Sequence, residues 1–408
     1  MNRVPSLSPR LATCHWRVPL SMPSRLRIVL ALGSAQTLAW GSTYYLPAIL
    51  AEPMASELGI STGNVFAAFS LALIVTAVLG PLSGKRIDHH GGRDVLALSS
   101  VVFAVGLAML GLANGPLMLW LGWLVIGIGM ALGLYESAFS TLAGIYGRNA
   151  RGAITGITLL AGFASTVCWP ISGWLNAEFG WRATCLTWAG AHLLLGLPLN
   201  RLLIPVGVQP APSPAEQAQT NDRSGAGSTM ALLAFVFAAT WFTSTAMAAH
   251  LPRLLQESGL SAAAAIGIAA LVGPAQVGTR CLEFVLLQRF HPLISARLAA
   301  IAHPIGAAGV MLVGAPATTA FVLLHGGGNG ILTIAKGTLP LAIFGPHGYG
   351  LRQGLLMVPA RFAQAFSPLV FALLIDDFGT RALWLSAALG VLAYAALTFL
   401  QRRAHGLA

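Results

Sequence analysis

The sequence predicts an all-α membrane protein: twelve transmembrane helices in two pseudo-symmetric six-helix bundles. Three observations predict it. The chain of 408 residues is 56% hydrophobic and only 9% charged, whereas average soluble domains carry roughly 25% charged residues. So few charges cannot cover a water-facing surface. Apolar runs of membrane-crossing length recur, and about 20 such residues span a hydrocarbon core of about 30 Å. The runs fall into two sets of six around one polar stretch, and short motifs repeat between the sets.

Residues 1–25 are polar, with Pro5, Pro9, Pro19 and Pro23 among Arg3, Arg10, Arg17 and Arg25. They contain no apolar core of signal-peptide type, so they read as a disordered cytoplasmic tail, with Met22 a candidate start. A first bundle is predicted over 26–204, with apolar segments at 27–51, 62–83, 95–113, 117–146, 152–177 and 181–204. Residues 205–228 hold Pro210, Pro212, Pro214, Gln217, Gln219, Asn221 and Asp222, the composition of a flexible cytoplasmic linker. A second bundle is predicted over 229–403, with segments at 229–250, 261–287, 292–314, 317–345, 351–376 and 380–401. Backbone polar groups in hydrocarbon must be satisfied within their own segment, so these runs are helices. The dyad alternation of a transmembrane strand is absent from them.

The two sets look related. Glu178-Phe179-Gly180-Trp181-Arg182-Ala183 matches Asp377-Phe378-Gly379-Thr380-Arg381-Ala382, and Leu58-Gly59-Ile60-Ser61 matches Ser258-Gly259-Leu260-Ser261. Gly80-Pro81 recurs as Gly273-Pro274, with Arg280 and Glu283 as a degraded copy of the loop charges near Asp88. An even number of helices per repeat gives both halves the same topology. Charge sets the orientation. With the N-terminus inside, the outer loops hold Arg182, Arg253 and Arg381 while the remaining loop arginines and Lys85 fall inside. Both termini are then cytoplasmic, in what the composition points to as a bacterial inner membrane. The basic residues behind the net charge of +11 sit mostly in short loops between apolar runs, which argues against nucleic acid as a partner. Cys14, Cys168, Cys185 and Cys281 have no metal-ligand spacing.

Between the second and third segments stands Gly80-Pro81-Leu82-Ser83-Gly84-Lys85-Arg86-Ile87-Asp88-His89-His90-Gly91-Gly92-Arg93. It reads as a tight, charged loop at the membrane surface. Gly84 permits close helix approach, Asp88 offers a carboxylate at a helix end, Gly91 and Gly92 admit unusual backbone angles, and Arg93 supplies a cation. Through Gly84, Asp88, Gly91 and Arg93 the stretch resembles the loop signature of the major facilitator superfamily of transporters. His89 and Asp94 depart from the basic residues usual there. The resemblance covers roughly residues 26–403. It implies that Asp88 and Arg93 help latch the inward side shut during alternating access, and that the first, fourth, seventh and tenth helices line a central cavity.

Ionisable groups inside a membrane cost a few kcal/mol each and are kept for a function or for pairing. Glu136 in the fourth segment, Lys336 in the tenth and Arg361 in the eleventh stand out. On the family's architecture Glu136 and Lys336 face one cavity from opposite halves. Two readings stay open: Lys336 and Arg361 bind an anionic substrate group with Glu136 as proton site, or Glu136 and Lys336 form a locking ion pair with Arg361 capping backbone carbonyls. Trp40 and Tyr44 share a helix face, as do His325 and Asn329. Aromatic and amide groups on cavity-lining helices suit a small organic solute. His192 and His303 read as lone packing residues. No Walker sequence, HExxH or Ser/His/Asp arrangement occurs, so neither a cofactor nor an enzyme activity is expected. The expected function is secondary active transport of a small organic solute, an organic anion among the candidates, coupled to protons, by a monomer in a lipid bilayer. A drug or metabolite efflux pump of the same fold is the alternative; a membrane-embedded enzyme or a receptor is the reading from another class.

Overall fold

A computed structural model describes residues 24–206 and 226–406. Most of the expected tail (1–25) and linker (205–228), with Met22 and Cys14, lies outside the described residues. Every described element is a helix or a turn, with no strand. Each of the twelve predicted segments is helical over most of its length, with bounds that differ from those expected. Seven stretches are long and apolar enough to cross a membrane by length and composition. Two of them, Pro116–Leu202 with 87 residues and Tyr349–Arg402 with 54, exceed what one crossing of about 20 residues requires.

The helices break at defined places. The first segment is α1 (Arg25–Ala39), a π turn (Trp40–Tyr44) and α2 (Pro47–Leu58). Pro47 has no N–H for the carbonyl of Thr43, so Leu46 N takes that carbonyl at 3.2 Å. α3 (Thr62–His90) runs through the predicted surface loop. Residues 80–90 are therefore helical, and only Gly91 and Gly92 turn the chain. Gly91 has φ +80°, which needs glycine, whereas Gly92 has an ordinary φ and is small because a Cβ would strike Thr141.

α4 (Arg93–Gly111), α5 (Pro116–Gly133), α6 (Tyr135–Tyr146), α7 (Arg151–Ala161) and α8 (Ala164–Ala191) follow. Gly180, at φ +80°, kinks α8. A second π turn (His192–Gly196) leads into α9 (Leu197–Leu202). Beyond residue 225 come α10 (Ala226–Glu257), α11 (Ala262–Ala269), α12 (Val272–Val285), α13 (Pro292–Val313), α14 (Thr318–Phe344), α15 (Tyr349–Phe378) and α16 (Leu383–Gly406). The glycines matched between the two sets in the sequence share a backbone state. Gly59 and Gly259 have φ +65° and +98°, and Gly180 and Gly379 have +80° and +57°.

Two seams join the first set to the second at the end of the molecule that carries Asp88. Along one, α3 lies directly on α15. A Cβ on Gly84 would collide with the Gly350 carbonyl, and one on Gly354 would lie 2.6 Å from Pro81 Cα. Along the other, α7 meets α12.

Candidate functional site

The break between α5 and α6 builds the site. Leu134 is extended, and the carbonyls it frees are taken up: Gln36 Nε2 donates to Gly133 O at 2.6 Å and Ser137 Oγ to Ala131 O at 3.0 Å. α6 then restarts with Glu136 in its first turn, where the helix dipole favours a carboxylate. Lys336 Nζ on α14 donates to Glu136 Oε1 at 3.2 Å. Arg361 Nη2 on α15 donates to both oxygens, at 3.1 and 3.0 Å. Lys336 is 0% exposed, Arg361 1% and Glu136 12%. The cluster holds two cations and one carboxylate, so it carries a formal charge of +1 inside the bundle.

An aromatic wall surrounds these charges. Trp40, from the π turn, lies nearly parallel to Trp241 of α10, with centroids 6.5 Å apart and planes at 12°. Lys336 Nζ sits 4.3 Å from the Trp241 ring and 5.4 Å from that of Tyr135, within cation–π range. A polar chain extends the site. Arg361 Nη1 donates to Gln364 Oε1 at 3.0 Å, and Gln364 Nε2 donates to Tyr44 OH at 3.2 Å and to Thr245 Oγ1 at 3.3 Å. Trp40 Nε1 and Arg361 Nε are buried with no protein partner, the kind of group that requires an explanation in a packed interior.

Five predicted residues thus converge: Trp40, Tyr44, Glu136, Lys336 and Arg361. Arg361 binds a carboxylate and an amide rather than capping backbone carbonyls. His325 and Asn329 lie elsewhere. They line a cavity of about 30 Å³ with Thr240, Thr243, Ser244 and His303, room enough for an ordered water. His303 is not a lone packing residue, since its Nδ1 lies 3.0 Å from His325 Nδ1. Nor is His192, whose Nε2 lies 2.8 Å from Ser42 Oγ in the first π turn. The sequence reading missed Trp241, Thr245, Gln364 and Arg280. A signal existed for two of them: Trp241 stands 201 residues after Trp40, as Thr245 does after Tyr44, close to the 200 that separate Glu136 and Lys336.

At the Asp88 end, Asp88 Oδ1 accepts from Gly350 N at 2.8 Å and Oδ2 from Leu351 N at 2.9 Å. The carboxylate therefore caps the first turn of α15, where orphan N–H groups concentrate. Arg93 takes no part in this contact and pairs with Asp94 at 3.1 Å. The second seam is tied by Arg151 Nη2 to Glu283 Oε1 at 2.8 Å, with Arg151 also donating to Phe290 O at 2.6 Å and Leu287 O at 3.1 Å.

Comparisons with known proteins bear on this geometry. A family model described as "Major Facilitator Superfamily" matches residues 32–324. The chain is 29% identical over 360 residues to an "Uncharacterized 38 kDa protein in 23S RNA operon" of Thermoproteus tenax, covering 87% of this chain and 90% of that one. It is 28% identical over 157 residues to a "Multi-drug resistance efflux pump PmrA homolog" of Lactococcus lactis subsp. lactis, covering 38% of each. The fold is similar to the crystal structure of the transporter FucP in the outward conformation, with a TM-score of 0.73, 13% identity, and 92% and 99% of the two chains covered.

Proposed function

The chain belongs to the Major Facilitator Superfamily and is an integral membrane transporter, not an enzyme; from that premise we propose that it carries a small organic anion by alternating access, coupled to protons. The observation that carries this reading is the buried +1 cluster of Glu136, Lys336 and Arg361 inside an aromatic wall. An uncompensated buried cation is costly, and an incoming carboxylate group would offset it. An anion that engages Lys336 and Arg361 competes with Glu136 for them. The displaced Glu136 carboxylate is the proposed proton site, which links solute and proton in one binding event. Trp40, Trp241 and Tyr135 supply the apolar contact for the solute's carbon skeleton.

Two six-helix bundles, 26–204 and 229–403 with a linker at 205–228, would rock about this centre. The buried apolar residues support that division. One cluster is drawn from residues 28–204 with Leu341, Tyr349 and Ala365, and two more come wholly from the residues after 225. With both termini cytoplasmic in a bacterial inner membrane, the Asp88 end is the cytoplasmic one and the described state is shut on that side. The proposed cycle runs in a monomer.

The test is flux into proteoliposomes under an imposed pH gradient, over a panel of organic anions and cations. Gradient-driven anion uptake that Lys336→Met reduces at least tenfold at unchanged folded yield is the expected result. Anion-independent behaviour, or a Lys336→Met protein that folds poorly but transports normally per folded molecule, overturns the reading. The matching efflux-pump relative favours a second reading, export of a drug or metabolite. Reversing the gradient in the same vesicles separates the two directions.

A further inference from the structure

The buried charge at the centre extends beyond Glu136, Lys336 and Arg361. Arg280 on α12 is 5% exposed. Its Nη1 donates to Thr158 O across the seam at 3.0 Å, its Nη2 to Gln276 Oε1 at 3.4 Å, and its buried Nε has no protein partner. Among the described residues it forms no ion pair, because Glu283, three positions on, is taken by Arg151. Its acceptor Thr158 lies one turn along α7 from Ile154, whose side chain packs against Gly337 beside Lys336. Its guanidinium reaches that position past Gly162, where a Cβ would collide with Nη1. Lys336, Arg361 and Arg280 are thus three buried cations, of which Glu136 pairs with the first two, and the four groups together carry a formal charge of +2. A monoanion would offset half of it.

We infer that Arg280 is a second anion anchor of the central site and that the transported solute is a small dianion with two separated carboxylates. The inference rests on the anion reading above. One carboxylate engages Lys336 and Arg361 in place of Glu136. The other engages Arg280, and the short carbon chain between them passes Tyr135, whose ring lies 5.4 Å from Lys336 Nζ. The planar fork of arginine suits bidentate carboxylate binding. Arg280 thus sets which anions bind, and its hydrogen bond to Thr158 couples that choice to the α7–α12 seam.

Titration calorimetry of the full-length protein with succinate and with butyrate tests this. Wild type is expected to bind succinate at least tenfold more tightly, equivalent to about 1.4 kcal/mol. Arg280→Gln is expected to bring the ratio near one by weakening succinate much more than butyrate. Arg361→Gln is expected to weaken both solutes. If Arg280→Gln does not fold, Gly162→Ala displaces the guanidinium without removing its charge and is expected to lower the ratio at least threefold. Equal weakening of both solutes by the Arg280 or Gly162 variant makes Arg280 a strap between helices and overturns the inference. Wild type that binds butyrate as tightly as succinate also overturns it and leaves the anion reading standing. Wild type that binds neither, in a panel that includes larger anions, removes the anion reading itself.

Discussion

The two seams that close the Asp88 end are held by different chemistry. Along α3 and α15 the contact is backbone on backbone, with Asp88 seated on the N–H groups of Gly350 and Leu351, and Ser70 Oγ bonded to Ala365 O at 3.2 Å farther along. Along α7 and α12 the contact is made by long side chains, Arg151 with Glu283 and Arg280 with Thr158 O. Past Gly162 the apolar residues Val167, Trp169, Ile171 and Trp174 are exposed. Short-range backbone fit fails once two helices part slightly, because packed interfaces have discrete arrangements. A long arginine with several acceptors stays engaged over a range of separations. The first seam is therefore expected to behave as a switch and the second as a tether.

The largest effect belongs to the group between the seams. Glu136→Gln leaves Lys336 and Arg361 buried without a carboxylate, and breaking a buried pair typically costs about 3–5 kcal/mol. Lys336→Met leaves Glu136 paired with Arg361 in a neutral cluster. Glu136→Gln is thus expected to unfold at a much lower temperature than Lys336→Met, although both stop solute uptake. Thermal unfolding in detergent checks the order. The reverse order would mean that Lys336 supports Glu136 more than Glu136 supports the cations. Next comes the switch. Hydrogen bonds to charged groups contribute about 1.5–3 kcal/mol, and Asp88 is half-buried, so Asp88→Asn is expected to shift the closed state by about 1–2 kcal/mol. Spin labels at Arg86 and Leu355 report this as a longer, broader distance distribution.

How much of this was legible follows from what lipid demands. The twelve apolar runs are visible because a crossing needs about 20 apolar residues whatever the fold. Glu136, Lys336 and Arg361 are visible because a charge in such a run has few innocent reasons to be there. The breaks within segments are not visible, because their cause is tertiary. The carbonyl of Gly133 can be left free only because Gln36, 97 residues away, donates to it. The partner of Asp88 is likewise hidden, since backbone N–H groups leave no mark in a sequence. In the sequence Arg280 reads as part of a degraded copy of the loop charges, because it follows the repeated Gly273-Pro274. Its burial without an ion pair among the described residues is what sets it apart. His325 and Asn329 share a face as expected, but that face meets His303 and a small cavity, a neighbour that periodicity along one helix cannot identify.

The smallest predicted effect is the one that discriminates best between switch and tether. Glu283→Gln keeps an amide oxygen that can accept from Arg151, and Arg151 keeps the carbonyls of Phe290 and Leu287. Glu283 is 2% exposed and Arg151 20%, so solvent does little here and the small effect rests on the acceptors that Arg151 keeps. The expected shift of the closed state is about 0.5 kcal/mol, well below that of Asp88→Asn and measured with the same pair of labels. If the two seams were equivalent copies of one latch, the two substitutions would shift the distance distribution equally. A Glu283→Gln shift as large as that of Asp88→Asn would therefore show that the charge on Glu283, not the reach of Arg151, holds the second seam. The contrast between backbone fit and side-chain tether would then fail.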